Sequence, residues 1–178
     1  MYNVGYWGNW GKAALCPAGE FVYGYSLKSE PDQHGGDDTA LNGIRLFCGP
    51  YTNATSKRTM KTSLEGPWGD WLDPEDCGRY PVIGFDMKIE GDQHGGDDTA
   101  ANELRLFCMK GKRYINAMTY TSWGEWTDPL ICPKGMAMIG FKTRVDGNQH
   151  GGDDTALNGV TMYCDHTGAG YDCDTYEA

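Results

Sequence analysis

Residues 32–48 read DQHGGDDTALNGIRLFC, residues 92–108 read DQHGGDDTAANELRLFC, and residues 148–164 read NQHGGDDTALNGVTMYC. These stretches begin 60 and 56 residues apart, so one unit occurs three times along the chain. A repeat of this length is a supersecondary unit that buries its apolar face against its neighbours. The chain is therefore predicted to be a threefold internal array.

Two further motifs recur in register with the long repeat. WGxW, where x is any residue, begins at Trp7, Trp68 and Trp123, and each of these lies nine residues before a cysteine. A strand-like segment follows that cysteine and reads YGYSLKSE, IGFDMKIE or IGFKTRVD in the three copies. We therefore predict one domain over residues 1–164, made of three units and followed by a C-terminal tail. The units and the tail span about residues 1–50, 58–110, 112–164 and 165–178.

The composition favours an all-β fold. The chain has 178 residues, of which 26 are glycine, 39% are apolar and 12% are aromatic. Glycine weakens helix interiors and serves turns, and no window of about a dozen residues keeps a 3.6-residue apolar period. Short runs of aromatic and β-branched residues, bounded by Gly, Pro, Asp or Asn, are typical of strands. We predict three small sheets around a common axis.

The charge balance limits the classes of partner. Fifteen Lys and Arg against 25 Asp and Glu give a net charge of −10, which repels nucleic-acid phosphates and anionic lipid headgroups. No apolar run reaches the length of a membrane-spanning helix, and the N-terminal stretch lacks the pattern of a signal peptide. We expect no nucleic-acid partner, no membrane partner, and either a soluble chain or a mature secreted one.

Six of the seven cysteines fall at matching places in the three units, 31 or 32 residues apart within each unit. No CxxC pair or nearby histidine gives the spacing of a zinc site, and a threefold pattern most simply repeats one bond. The predicted disulfides are Cys16–Cys48, Cys77–Cys108 and Cys132–Cys164. Such a framework indicates an oxidising compartment, so we expect a secreted, extracellular protein, and a glycosylation sequon at Asn53 agrees with that location. Cys173 in the tail is left as a free thiol, a capped thiol or a disulfide to another chain.

The repeated DDTALN or DDTAAN stretch, its downstream cysteine and the upstream WGxW together resemble the vitelline membrane outer layer protein 1 family, over about residues 5–164. The resemblance implies a β-prism of three Greek-key four-stranded sheets with pseudo-threefold symmetry, and a secreted matrix protein of the vitelline-layer type. It also implies a weak transfer activity on chito-oligosaccharides at a groove on one end of the prism. All three copies here carry His-Gly-Gly where the family varies. Only residues 1–6 precede the first WGxW, which leaves the closure of one sheet open.

Paired carboxylates in the repeated loop are the first candidates for chemistry. They occur at Asp37–Asp38, Asp97–Asp98 and Asp153–Asp154. Two carboxylates can act as general acid and base or bind Ca²⁺, but adjacent residues of an extended segment point to opposite faces, and a catalytic pair is needed once, not three times. The simpler interpretation is a turn in which Asp and Thr bond to the backbone and Asn42, Asn102 and Asn158 end the bend. We assign no catalytic residue and no cofactor.

Three histidines, His34, His94 and His150, occupy equivalent positions. Threefold symmetry would join their imidazoles in a metal site if the loops lay close to the axis. A wider ring would leave three separate surface histidines, each bonded to its own turn. We assign no metal site and keep this triplet as the alternative.

All six tryptophans lie in the WGxW motifs. Indole faces stack on sugar rings, and nearby carboxylates bond hydroxyl groups. The candidate ligand-binding residues are Trp7, Trp10, Trp68, Asp70, Trp71, Trp123, Glu125 and Trp126. Positions three apart on a strand point to opposite faces, so one tryptophan of each pair is expected in the core and the other at the surface.

Three functions stay open at this point. The preferred one is a non-enzymatic structural protein of the extracellular matrix, with extracellular glycoproteins or glycans as partners. The alternative is a carbohydrate-binding protein or weak chito-oligosaccharide transferase with an acidic, aromatic groove. The second alternative is a small-ligand or metal-binding module. Positions where the units differ, such as Glu103 in place of Gly43 and Gly159, are the better clues to a unique function.

Overall fold

Fifteen strands make up the fold in a computed structural model that describes residues 2–3, 7–32, 34, 39–51, 58–90, 101–147 and 156–168. In chain order they are β1 (Tyr2–Asn3), β2 (Asn9–Trp10), β3 (Ala14–Leu15), β4 (Glu20–Ser29), β5 (Leu41–Pro50), β6 (Thr59–Thr62), β7 (Asp70–Trp71), β8 (Glu75–Asp76), β9 (Val82–Ile89), β10 (Ala101–Cys108), β11 (Tyr114–Asn116), β12 (Glu125–Trp126), β13 (Leu130–Ile131), β14 (Met136–Val145) and β15 (Leu157–His166). Within these ranges no helix is long and apolar enough to cross a membrane.

Three long antiparallel hairpins, β4–β5, β9–β10 and β14–β15, each become a sheet by gaining short strands on both sides. The first sheet has the order β6-β5-β4-β7, the second β11-β10-β9-β12, and the third β1-β15-β14-β2. The segments β8, β13 and β3 pair with the same long strands as β7, β12 and β2, so each pair acts as one interrupted edge strand. In the first sheet the fourth strand returns beside the first, which is a Greek key. The prediction of an all-β fold with three Greek-key sheets is confirmed.

No sheet is built from a single sequence repeat. The interrupted edge strand β7–β8 of the first sheet carries the WGxW of the second repeat, and β12–β13 of the second sheet carries that of the third. The third sheet takes β1, β2 and β3 from the start of the chain, and Tyr2 and Asn3 pair with Val160 and Gly159. The closure left open by the short N-terminal segment is thus provided by β1, and the first and last strands of the described structure pair in one sheet.

The glycine of the strand-like motif makes room for this exchange. Each long first strand has a register shift next to that glycine, in the first sheet between Val22 and Gly24. A Cβ atom added at Gly24 would lie 2.4 Å from the carbonyl oxygen of Glu75 on β8, which is far inside van der Waals contact. The equivalent glycines Gly84 and Gly140 face backbone carbonyl oxygens of β13 and β3 at 2.3 Å. A side chain at this position would therefore displace the edge strand.

The three predicted disulfides are all present, at Cys16–Cys48, Cys77–Cys108 and Cys132–Cys164. In each, the first cysteine continues an interrupted edge strand and the second lies in a hairpin of another sheet. The Cys16 amide donates to Ile139 O of the third sheet at 2.8 Å, whereas Cys48 lies in β5 of the first. The Cys77 and Cys132 amides donate in the same way to carbonyl oxygens in the first and second sheets. The bonds therefore join third to first, first to second, and second to third.

The core contains one aromatic side chain from the same position of each sheet: Tyr25, Phe85 and Phe141 are almost fully buried. Only the first carries a hydroxyl group. The Tyr25 hydroxyl donates to Leu104 O at 2.6 Å and accepts from the Ala117 amide at 2.7 Å, both in the second sheet or just after it. Burial raises the pKa of Tyr25 above its ordinary range, because the phenolate would lose its hydration.

Candidate functional site

The glycine of WGxW positions the motif against the end of a long strand. Gly8, Gly69 and Gly124 have φ values of +80°, +75° and +86°, a region that favours glycine. A Cβ at Gly69 would lie 2.3 Å from Ser29 O, the last residue of β4. The motif is thereby held at what we call the loop end of a sheet, where the repeated loop leaves the first long strand and enters the second.

The second tryptophan of each motif lies beneath a cation. The ring centroids are 4.7 Å from Lys142 Nζ for Trp10, 3.8 Å from Arg45 Cζ for Trp71, and 3.7 Å from Arg105 Cζ for Trp126. Cation–π contacts of this kind stabilise by about 0.5–1 kcal/mol at exposed sites and more when desolvated. One face of each of these indoles is therefore already occupied by the protein itself.

The expectation that one tryptophan of each pair lies in the core is wrong. Trp10, Trp71 and Trp126 are half-buried, and none of the six is fully buried. The inward positions of the sheets are filled by residues of the long strands, whereas the WGxW strand is an edge. Trp71 lies along the outer face instead, and its Cη2 is 3.4 Å from where a Cβ of Gly43 would be.

The first tryptophan of each motif is more open to solvent. Trp7 is 66% exposed and Trp123 is 37% exposed, while Trp68 is half-buried. Each precedes the glycine that touches the last residue of a long strand, so all three lie at a loop end. The carboxylates of Asp70 and Glu125 are on exposed residues directly before the second tryptophans. Tryptophan and carboxylate side chains therefore both lie near the loop ends of the first and second sheets.

The described ends of the first loop show how its turn is closed. The Thr39 hydroxyl donates to a Glu30 carboxylate oxygen at 2.5 Å and accepts from Asn42 Nδ2 at 2.7 Å. The Glu30 amide donates to Ala40 O at 2.9 Å, and Ala40 has a φ of +46°. Thr39 and Asn42 therefore stabilise the turn, as the turn interpretation expects. The expected partner of Thr39 was a backbone group, but its hydroxyl bonds to the Glu30 side chain instead. The Asp pairs of all three loops lie outside the described residues.

His34 is the histidine of the predicted triplet that the structure describes. Its side chain is 88% exposed and its Nδ1 lies 3.4 Å from Asp32 Oδ1. His94 and His150 lie outside the described residues, as do Asn53 and Cys173. In the part of the chain that is described, no group of three His, Cys, Asp or Glu side chains is placed to hold a metal ion. The metal triplet stays a prediction.

The outer faces of the sheets hold residues that the motif analysis missed. In the second sheet, Asp86 is fully buried and Arg105 donates from Nε to Asp86 Oδ1 at 2.9 Å and from a terminal nitrogen to Oδ2. This bond raises the pKa of Arg105 above its ordinary value. Lys88 pairs with Glu103 at 3.3 Å on the same face. The signal was present in the sequence, because Asp86 stands where the other copies have Ser26 and Lys142.

Acidic charge is concentrated in the repeated loops. Residues 30–38, 90–98 and 146–154 hold eleven of the 25 acidic residues and no lysine or arginine. The rest of the chain has fourteen acidic against fifteen basic residues, and so it is close to neutral. The net charge of −10 is therefore carried by the three repeated loop segments.

Comparison with known proteins agrees with this architecture. Residues 1–164 match the family described as Vitelline membrane outer layer protein I. The chain belongs to the vitelline membrane outer layer protein I family. Two relatives are the vitelline membrane outer layer protein 1 homologs of Homo sapiens, 40% identical over 90% of this chain and 78% of the relative, and of Mus musculus, 37% identical over 91% and 80%.

Solved structures similar to this family member are jacalin-related lectins. A mannose-binding jacalin-related lectin from Ananas comosus superposes with a TM-score of 0.56 at 11% identity, over 93% of this chain and 94% of the lectin. Artocarpin complexed with methyl-α-mannose gives a TM-score of 0.52 at 10% identity, over 92% and 98%. At this identity the likeness establishes the fold alone, and the predicted β-prism is confirmed.

Proposed function

We propose that this protein is a secreted, non-enzymatic structural component of an extracellular glycoprotein layer, and that it binds glycans at the loop ends of its sheets. The observation that carries the proposal is the placement of an exposed or half-exposed tryptophan, Trp7, Trp68 or Trp123, at each loop end. Indole faces left open to solvent are suited to the apolar faces of sugar rings. The family membership supports the vitelline type of function.

Two further features support the proposal. Three disulfides that link the sheets in a ring suit a protein that persists in an oxidising, extracellular setting. The β-prism fold is shared with a mannose-binding lectin and with artocarpin, which was solved in complex with methyl-α-mannose, and this supports sugars as the ligand class. A non-enzymatic role agrees with the threefold occurrence of the acidic pairs, because one catalytic site needs one pair.

Glycan binding can be tested with single tryptophan variants. We expect retention on an array carrying mannosides and chito-oligosaccharides, and we expect Trp7→Ala and Trp123→Ala each to weaken it by about fivefold to tenfold, since one aromatic contact contributes about 1 kcal/mol. Met60→Ala is the matched control, because Met60 is 61% exposed on β6, away from the loop end.

Three outcomes separate the hypotheses. No retention of any sugar by the wild type would overturn the glycan part of the proposal. Equal losses for Met60→Ala and Trp7→Ala would overturn the placement of the site. Longer products after incubation with chito-oligosaccharides, detected by mass spectrometry, would support the transferase alternative and contradict the non-enzymatic role.

A further inference from the structure

The outer face of the second sheet is neutralised by two ion pairs that cross between β9 and β10. Asp86 lies directly opposite Arg105, and Lys88 pairs in register with Glu103. The Arg105 guanidinium lies over the ring of Trp126 and holds the Asp86 carboxylate with two N–H groups. A guanidinium stacked on an indole with a carboxylate at its edge is a bidentate anion site, filled here by the protein's own side chain.

The first sheet keeps the cations of this arrangement and lacks both acids. Arg45 lies over Trp71 at 3.8 Å, and its partner in the register is Ser26. Lys28 lies opposite Gly43, at the position where the second sheet has Glu103. Two cross-strand ion pairs of the second sheet are thus replaced by two cations with neutral partners.

Within the described ranges, no carboxylate bonds to the Arg45 guanidinium. Ser26 Oγ donates to Leu72 O at 2.6 Å, and Lys28 Nζ donates to Gly66 O at 2.9 Å. Among the described residues Arg45 forms no ion pair. Arg45 is half-buried, so a partner reaching it would be partly desolvated, and its Coulomb attraction would be stronger than in bulk water.

Gly43 lies directly opposite Lys28 and two residues before Arg45, and its neighbours pack closely around it. A Cβ at Gly43 would be 3.4 Å from Lys28 Cβ, 3.4 Å from Trp71 Cη2 and 3.1 Å from Glu65 Cβ. These distances leave no room at Gly43 for a side chain like that of Glu103, so no acid stands at this position opposite Lys28. Glu65, whose Cβ borders Gly43, is exposed. Together Arg45, Lys28 and Glu65 carry a net positive charge.

We propose that the outer face of the first sheet binds the acidic group of a glycan, a carboxylate or a sulfate, through the fork of Arg45 and the charge of Lys28. The inference deepens the proposed glycan binding and rests on it for the sugar scaffold. The negative loops do not prevent it, because screening at physiological ionic strength reduces interactions beyond about 8 Å. The second sheet supplies the internal precedent for the contact, because its guanidinium, stacked on an indole, binds the carboxylate of Asp86.

Calorimetry on the full chain can compare the binding of lactose, sialylated lactose and sulfated lactose. We expect both acidic sugars to bind at least about tenfold more tightly than lactose, which corresponds to one charge-assisted contact. Ser26→Asp installs the acid of the second sheet and is expected to abolish this preference, whereas the uncharged Ser26→Asn retains it. Arg45→Gln is an independent variant and should also abolish it. Circular dichroism melting confirms that each variant is folded.

The arms of the experiment distinguish the sources of failure. Equal binding of the three sugars, or a preference that survives both Ser26→Asp and Arg45→Gln, overturns this inference while the binding of mannosides at the loop ends stands. Inorganic sulfate that binds as tightly as sulfated lactose assigns the face to a free anion and overturns the glycan as its ligand. Absence of binding to every sugar, mannosides included, overturns the proposed function and this inference together.

Discussion

Tyr25 differs from its two counterparts by one hydroxyl group, and that group breaks the threefold equivalence of the core. Phe85 and Phe141 occupy the same position in the other sheets, where the side chain only packs. The Tyr25 hydroxyl joins the first sheet to the segment after β11, because it bonds both Leu104 O and the Ala117 amide. This one side chain therefore ties the first sheet to the segment that follows β11.

Tyr25→Phe is expected to lower the free energy of unfolding by about 1–3 kcal/mol, since the buried Leu104 carbonyl and Ala117 amide would lose a partner. Chemical denaturation followed by tryptophan fluorescence measures the change. Tyr23→Phe is the control, because its hydroxyl makes a longer bond to Pro50 O, at 3.2 Å, in a less buried place. A loss for Tyr25→Phe no greater than that for the control would contradict the role assigned to the hydroxyl.

At the level of the strand, the two motif glycines explain why the edge strands are short and interrupted. Gly69 lets β7 approach the end of β4, and Gly24 lets β8 pass the bulge of the same strand. Trp71 then covers the outer face of the first sheet, and the Arg45 guanidinium lies over its ring. WGxW therefore attaches an edge strand to the sheet through its glycine and its second tryptophan, whereas its first tryptophan is more open to solvent.

Gly69→Ala is expected to destabilise the protein by about 2–4 kcal/mol, from left-handed backbone strain and from a clash with Ser29 O. Gly78→Ala is the matched control, because Gly78 also has a positive φ, +67°, but nothing lies within 4 Å of its Cβ position. The control should lose only about 1–2 kcal/mol of strain. Equal changes in the denaturation midpoints of the two variants would show that the close approach contributes nothing.

Over the whole molecule, three disulfides and exchanged edge strands close a ring of three sheets. Each disulfide connects two different sheets, so two bonds are enough to keep all three sheets covalently linked. The first and last strands, β1 and β15, pair in the third sheet, whose other edge is formed by β2 and β3. Each sheet is thus connected to the next in two ways, by the pairing of its edge strand and by a disulfide.

Replacing Cys77 and Cys108 by alanine should lower the free energy of unfolding by about 3–4 kcal/mol, the chain-entropy value for a loop of this length. Removing Cys132 and Cys164 as well should cost more than twice the single change, because one sheet is then joined to the others only by the continuous backbone and its contacts. Guanidinium denaturation of the variants that lack one and two disulfides measures both free-energy changes. If the loss from removing both disulfides equals the sum of the separate losses, the sheets are not stabilised as a closed ring. Cys173→Ser serves as the thiol control.

Much of this structure is contained in the repeat. Threefold spacing of the cysteines was enough to pair them correctly, and the alternation of aromatic and branched residues was enough to predict an all-β fold, since both signals are local and occur three times. The burial of the tryptophans was predicted incorrectly. Alternation along a strand says which residues share a face, but not whether that strand lies at an edge.

The amino-acid sequence by itself determined the unit, its strands and its disulfide partners, because these depend on spacing within one repeat. Only the tertiary structure decided that each sheet takes its edge strand from another repeat, so that each disulfide joins two sheets. The pairing of edge strands depends on which strands lie side by side in the folded molecule. Because the three repeats are similar, their strands could pair equally well within one repeat or between two. For the same reason the contrast between Arg45 and Arg105 became visible only when Ser26 and Asp86 were seen across the strand from them.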